Sequence, residues 1–156
     1  MKSIFLLLLI SFSILSAEEP SAKVVYDLTT KNLASFELRI LKAVVANKAH
    51  YEASLRELDV SVVIHGGAYR FFVIDPKKSI FKEDKALMQN YKTLAKRIKS
   101  MVDTYDVEFL MCGAAMSKNE LKAKDVYSFV KIIPNSTIGL IDKQNEGYAY
   151  IPLGNK

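Results

Sequence analysis

The 156 residues contain no tryptophan, one cysteine, two histidines, four prolines and six glycines. A single cysteine excludes an internal disulfide, and with it a cross-linked scaffold and a Cys-x-x-Cys dithiol oxidoreductase. One cysteine, two histidines and scattered methionines give no zinc-type ligand spacing, so no metal site is expected. The Gly-x-Ser-x-Gly elbow of hydrolases is absent. Phosphate-binding glycine fingerprints are absent too, which makes Gly66-Gly67 a tight turn rather than a phosphate cradle. No cofactor is expected.

Only one long apolar run is present, and it stands at the start. Met1-Lys2-Ser3 is a short positive opening, Ile4 to Leu15 is nearly continuous apolar sequence, and Ser16-Ala17-Glu18 is a small-residue exit. This pattern reads as a secretory signal peptide over residues 1–17, cut after Ala17. The run falls short of the roughly 20 residues of a membrane-spanning helix. The expectation is therefore a periplasmic or secreted protein, not held in a membrane once cut, with an uncleaved anchor as the alternative. No cysteine follows the run to carry a lipid.

Residues 18–156 suffice for one domain with a real core and are too few for two. The net charge of +5 is spread along helical stretches, as in Lys82, Lys85, Lys92, Lys96 and Lys99, and reads as solvated helix surface. Without an aromatic and basic motif, nucleic acid is not an expected partner.

Two periodicities alternate along the chain. Strand-like apolar runs occupy Lys23–Leu28, Asp59–Ile64, Val107–Met111, Val130–Ile133 and Tyr148–Ile151. Helical spacing runs from Leu33 to about Glu57, and from Leu87 through Tyr91, Leu94, Ile98 and Met101 to Tyr105. Ser117-Lys118-Asn119-Glu120 has capping-box spacing and predicts a helix start. Ser136–Glu146 predicts a short helix stopped by Gly147. Ala68–Ile74 is either a short helix or a strand, broken by Asp75-Pro76. Strand and helix in turn imply βαβ units, an α/β fold and a mostly parallel five-stranded sheet.

Cys112 stands where the third strand gives way to Gly113-Ala114-Ala115. Side chains at the carboxyl ends of parallel strands face the ligand crevice, so Cys112 is either a packed small hydrophobe or a reactive thiol. His65, at the end of the second strand, shares that crevice if the second and third strands are neighbours, and can then stabilise a thiolate or pass protons. The amides of Gly113, Ala114 and Ala115 can form an anion-binding nest, with Gly66 as a further lining residue. Asp27 is an additional carboxylate by position alone. His50 reads as a surface residue, and Met111 and Met116 as packing rather than soft-metal ligands.

Three stretches carry a resemblance: Val63-Ile64-His65-Gly66 with Tyr69-Arg70-Phe71-Phe72, then Phe109-Leu110-Met111-Cys112-Gly113, then Ile133-Pro134-Asn135-Ser136 through Glu146-Gly147-Tyr148-Ala149-Tyr150. In order and spacing the chain resembles an exported version of the DsrE-like sulfur-relay family. The resemblance implies a three-layer α/β/α fold, trimers or hexamers as homo-oligomers, and Cys112 as a site able to accept sulfur as a persulfide. Two functions follow. One is a sulfur carrier or sulfurtransferase that takes sulfane sulfur from a donor protein and hands it to an acceptor. The other is a non-catalytic oligomeric binding module for a small ligand at the strand-end crevice, with Cys112 as part of the wall.

Overall fold

The computed structural model describes residues 21–154; the expected signal peptide lies outside them. Five strands, β1 (Ala22–Leu28), β2 (Leu58–Ile64), β3 (Val107–Cys112), β4 (Lys131–Ile133) and β5 (Ala149–Leu153), form one sheet in the order β4-β3-β2-β1-β5. Every pairing is parallel. The path steps outward from β1 to β4, then returns to place β5 on the other side of β1, so the strand order reverses between β1 and β5.

Alternation along the strands divides the sheet into two unlike faces. One face, with Tyr26, Leu28, Val62, Ile64, Phe109 and Met111, carries the main core. Above it lie a helical segment made of α1 (Leu33–Phe36), a π-helical turn (Glu37–Lys42) and α2 (Ala43–Glu52), together with a 3₁₀ segment (Gly66–Phe72) and α3 (Lys85–Asp103). Phe36 stacks on Phe71 with ring centroids 4.6 Å apart, and Phe72 meets Phe109 at 5.2 Å. Each such buried ring contributes roughly 1.5–3 kcal/mol.

The opposite face is covered by α4 (Ser136–Asn145). Its apolar centre is small: Val25, Val63 and Leu110, flanked by Ile133, Leu140 and Tyr148. Three layers result, one thick and one thin.

The long helix matches its expected stripe, with Leu87, Leu94, Ile98 and Met101 buried. Asp84 caps it by accepting the Leu87 N–H at 3.1 Å. Gly147 has φ of +89°, the left-handed conformation expected past the end of α4.

Four expectations are corrected. The first helix ends at Glu52 rather than near Glu57, and a π turn interrupts it. No proline or glycine lies between Leu33 and Glu52 to mark that turn, and the chain leaves the helix through Leu55 in the left-handed region. The helix expected at Ser117 does not form. Instead two 3₁₀ turns, Gly113–Ala115 and Ser117–Asn119, end in Glu120 at φ of +52°. Leu121 is buried, and its N–H bonds the Met116 carbonyl at 3.0 Å; burying this side chain folds the segment back before a helix can extend. Strand β5 continues through Pro152, which an edge strand tolerates. Finally, Lys131 rather than Val130 opens β4.

Candidate functional site

The end of β3 is pressed between β4 and α4. A Cβ on Gly113 would stand 2.9 Å from the Ile133 carbonyl oxygen, so only glycine lets the chain turn this close to β4. Beyond β4, Asn135 caps α4 by accepting the Ile138 N–H at 2.9 Å, and the first turn of α4 is aimed at Cys112.

Cys112 is buried, with 5% of its surface exposed. Burial pushes its thiol pKa up, but hydrogen bonds oppose it: from the Tyr69 hydroxyl, from the Ser136 and Ala115 backbone N–H groups, and from the Ser136 hydroxyl. Together they leave the thiol below its ordinary value. The Tyr69 hydroxyl has one proton and stands between the sulfur and the Cys112 carbonyl oxygen, which is 2.5 Å away. Burial and the cysteine hold Tyr69 well above the usual phenol range.

The three amides after Cys112 do not act as one nest. Ala115 faces the sulfur, whereas Ala114 donates to the Pro134 carbonyl at 3.1 Å. Gly66 serves the turn after β2, with φ of +56°, and a Cβ on Gly67 would meet Lys31 at 2.8 Å.

Strands β2 and β3 are neighbours, with Ile64 opposite Met111, so His65 and Cys112 occupy corresponding positions one residue further on. His65 is not bonded to the thiol. Its Nε2 meets Asp27 Oδ1 at 2.5 Å, and the Tyr150 hydroxyl donates to Asp27 Oδ2 at 2.7 Å. This second constellation spans β2, β1 and β5, across the point where the strand order reverses. Met111 and Met116 lie in the core and His50 is exposed beside Tyr51. Among the described residues no group of three or more His, Cys, Asp or Glu is placed to hold a metal ion.

A separate polar centre sits at the opposite end of the α4 face. Glu108 accepts from Ser61 at 3.2 Å and pairs with Lys131 at 2.6 Å and Lys143 at 2.9 Å. Burial pushes the Glu108 carboxyl up, and the two lysines outweigh it and leave it low. A cavity of about 500 Å³ opens over the loop after β1, between Lys31, Asn32, Arg70 and Phe81; its Arg70 is paired with Asp84 at 2.6 Å.

Tyr69, Ser136 and Tyr150 were not recognisable as site residues from periodicity. All three lie within the stretches that carry the family resemblance, which is the only sequence signal that singles them out.

The fold and site define a class: a parallel α/β protein with a hydrogen-bonded thiol at a strand's carboxyl end. Residues 23–153 match the model of the DsrE/DsrF-like family, and the chain belongs to that family. The chain is 28% identical over 155 residues to an uncharacterized protein of Aquifex aeolicus (strain VF5), covering 98% of this chain and 64% of that relative. It thus spans just under two thirds of that protein's length. It also shares its fold with the solved structure of a protein of unknown function from Methanobacterium thermoautotrophicum. The TM-score is 0.57 at 17% identity, over 85% of this chain and 99% of that one.

Proposed function

We propose that the protein carries sulfane sulfur on Cys112. The observation that supports this most is the set of donors converging on a buried sulfur. A thiol that served only as packing gains nothing from the Ser136 and Ala115 N–H groups and the Ser136 hydroxyl, whereas an anionic sulfur is stabilised by them. In the loading step the Cys112 thiolate attacks the outer sulfur of a donor persulfide R–S–SH. One S–S bond forms, the donor S–S bond breaks, and its electron pair leaves on R–S⁻. In unloading, an acceptor thiolate attacks the outer sulfur of the Cys112 persulfide and Cys112 leaves as thiolate. Neither step needs an outside oxidant or reductant.

The burial of Cys112 is the observation that favours the second reading, a ligand-binding module in which the cysteine is wall. Intact mass spectrometry before and after exposure to polysulfide separates the two. A gain of one sulfur atom, reversed by reductant and absent in Cys112→Ser, is the expected result; an inert thiol in the native protein would overturn it. Export to the periplasm and assembly as trimers or hexamers belong to the same proposal. The mass of the chain from a secreting host and its sedimentation test them.

A further inference from the structure

The imidazole of His65 is held from behind. Its Nε2 lies 2.5 Å from Asp27 Oδ1, and the other carboxylate oxygen is fixed at 2.7 Å by the Tyr150 hydroxyl. A carboxylate oxygen accepts, so Nε2 carries the proton and Nδ1 presents a lone pair in the neutral ring. Nδ1 has no hydrogen-bond partner among the described residues. The side chains of His65 and Asp27 are 27% and 16% exposed, so the ring is anchored in the wall while one edge reaches solvent.

Alternation puts this ring on the α4 face. Asp27, between the core residues Tyr26 and Leu28, points there, and His65 follows Ile64 in extended backbone. Cys112 stands at the border of the two faces: it packs with the main core, yet it pairs with Ile133 of the α4 face and meets Ser136 at the start of α4. Adjacent strands lie about 4.8 Å apart, which puts His65 beside the cysteine's strand end.

Resting on the sulfur-carrier reading, we propose that Asp27 and Tyr150 are positioning residues that hold His65 by Nε2, so that Nδ1 carries the proton for sulfur transfer at Cys112. In loading, the departing R–S⁻ takes a proton from Nδ1 of the imidazolium and leaves as thiol. In unloading, the acceptor thiol gives its proton to neutral Nδ1 and attacks as thiolate. One proton leaves the ring and one returns in each cycle, and Cys112 is a thiolate at both ends. The ionisable groups around the ring are Asp27 from β1, Tyr150 from β5, Cys112 from β3 and Lys31 from the loop packed against Gly67. The first turn and a half of α4, Ser136 to Ile141, brings none.

The test follows Cys112 persulfide formation from a low-molecular-weight thiol persulfide, and its discharge to a small thiol, by quenched intact mass spectrometry between about pH 5 and 9. His65→Gln keeps a donor for Asp27 but lacks Nδ1, and is expected to slow both steps roughly 10²-fold and to abolish the pH-dependent limb. Asp27→Asn should slow them comparably, and the double variant no further. Tyr150→Phe, at a half-exposed position, tests the same relay where folding is not at stake and should give a smaller loss with an altered pH profile. Loading is followed to its end point in all four variants, so that the rates compare proteins whose Cys112 still takes up sulfur. Unchanged rates in His65→Gln, or an Asp27→Asn profile parallel to that of the unsubstituted protein, would overturn the relay while leaving the carrier intact. No sulfur on unsubstituted Cys112 would overturn the carrier reading itself.

Discussion

Tyr69 and Cys112, 43 residues apart in the chain, meet at the rim of the sheet with the phenol 2.5 Å from the cysteine carbonyl. The contact ties the 3₁₀ segment above one face to the strand end that α4 covers from the other. Cys112 is therefore gripped from both outer layers.

Removing that hydroxyl should change both reactivity and stability. Tyr69→Phe deletes a donor that lowers the Cys112 thiol, so alkylation of Cys112 at fixed neutral pH should slow. It also removes the hydroxyl's bond to the Cys112 carbonyl, at about 0.5–1.5 kcal/mol. Because the folded thiol is depressed, its ionisation adds stability in full above the ordinary thiol value near about 8.5, and that stability is lost as pH falls through the depressed folded value. The gap in unfolding free energy between the unsubstituted protein and Tyr69→Phe should thus widen toward mild alkali. Urea unfolding at several pH values checks it, and a constant gap would show that Tyr69 does not act on the thiolate.

The turn after the cysteine has no room for a side chain. Gly113→Ala would place a methyl 2.9 Å from the Ile133 carbonyl and 3.1 Å from Ile132, forcing backbone to move at the β3–β4 junction. The expected loss is about 1–3 kcal/mol, accompanied by faster amide exchange at β4. A neutral result in chemical denaturation would mean that β4 yields easily.

Acid should loosen the α4 face through Glu108. Its carboxyl is held below the ordinary value by Lys131 and Lys143 against the opposing effect of burial. The stability it adds is present above the unfolded value near about 4.3 and is lost as pH falls through the lower folded value. Glu108→Gln should cost about 1.5–3 kcal/mol at neutral pH and should flatten the acid side of the stability profile. Unfolding curves from neutral to acid pH test this, and an unchanged acid limb would assign the loss to other carboxylates.

Much of the frame was legible because it rests on local pattern. The strands β1, β2 and β3 announce themselves as apolar runs, β2 with β-branched content as well, and α3 by its stripe from Leu87 to Met101. Cys112 was identifiable as a strand-end residue for the same reason. What escaped depends on contacts distant in sequence. Nothing near Tyr69 says that its hydroxyl crosses to Cys112, and nothing near Tyr150 says that it fixes Asp27. The Ser117–Glu120 spacing suggested a helix, yet burial of Leu121 outweighs local capping. His65 was paired in expectation with the nearest reactive group, while the observed register lets it reach diagonally to Asp27.

The first strand lies inside the sheet, and its outer neighbour is the last strand: Val24 stands opposite Ala149. Closure must therefore wait for β5, more than a hundred residues after β1, whatever the order of earlier events. Contacts between such distant partners slow assembly, because the entropy of closing the intervening chain is lost before the pairing rewards it. During synthesis β1 has an open edge until β5 emerges, so a growing chain stays unlocked until that strand has been made.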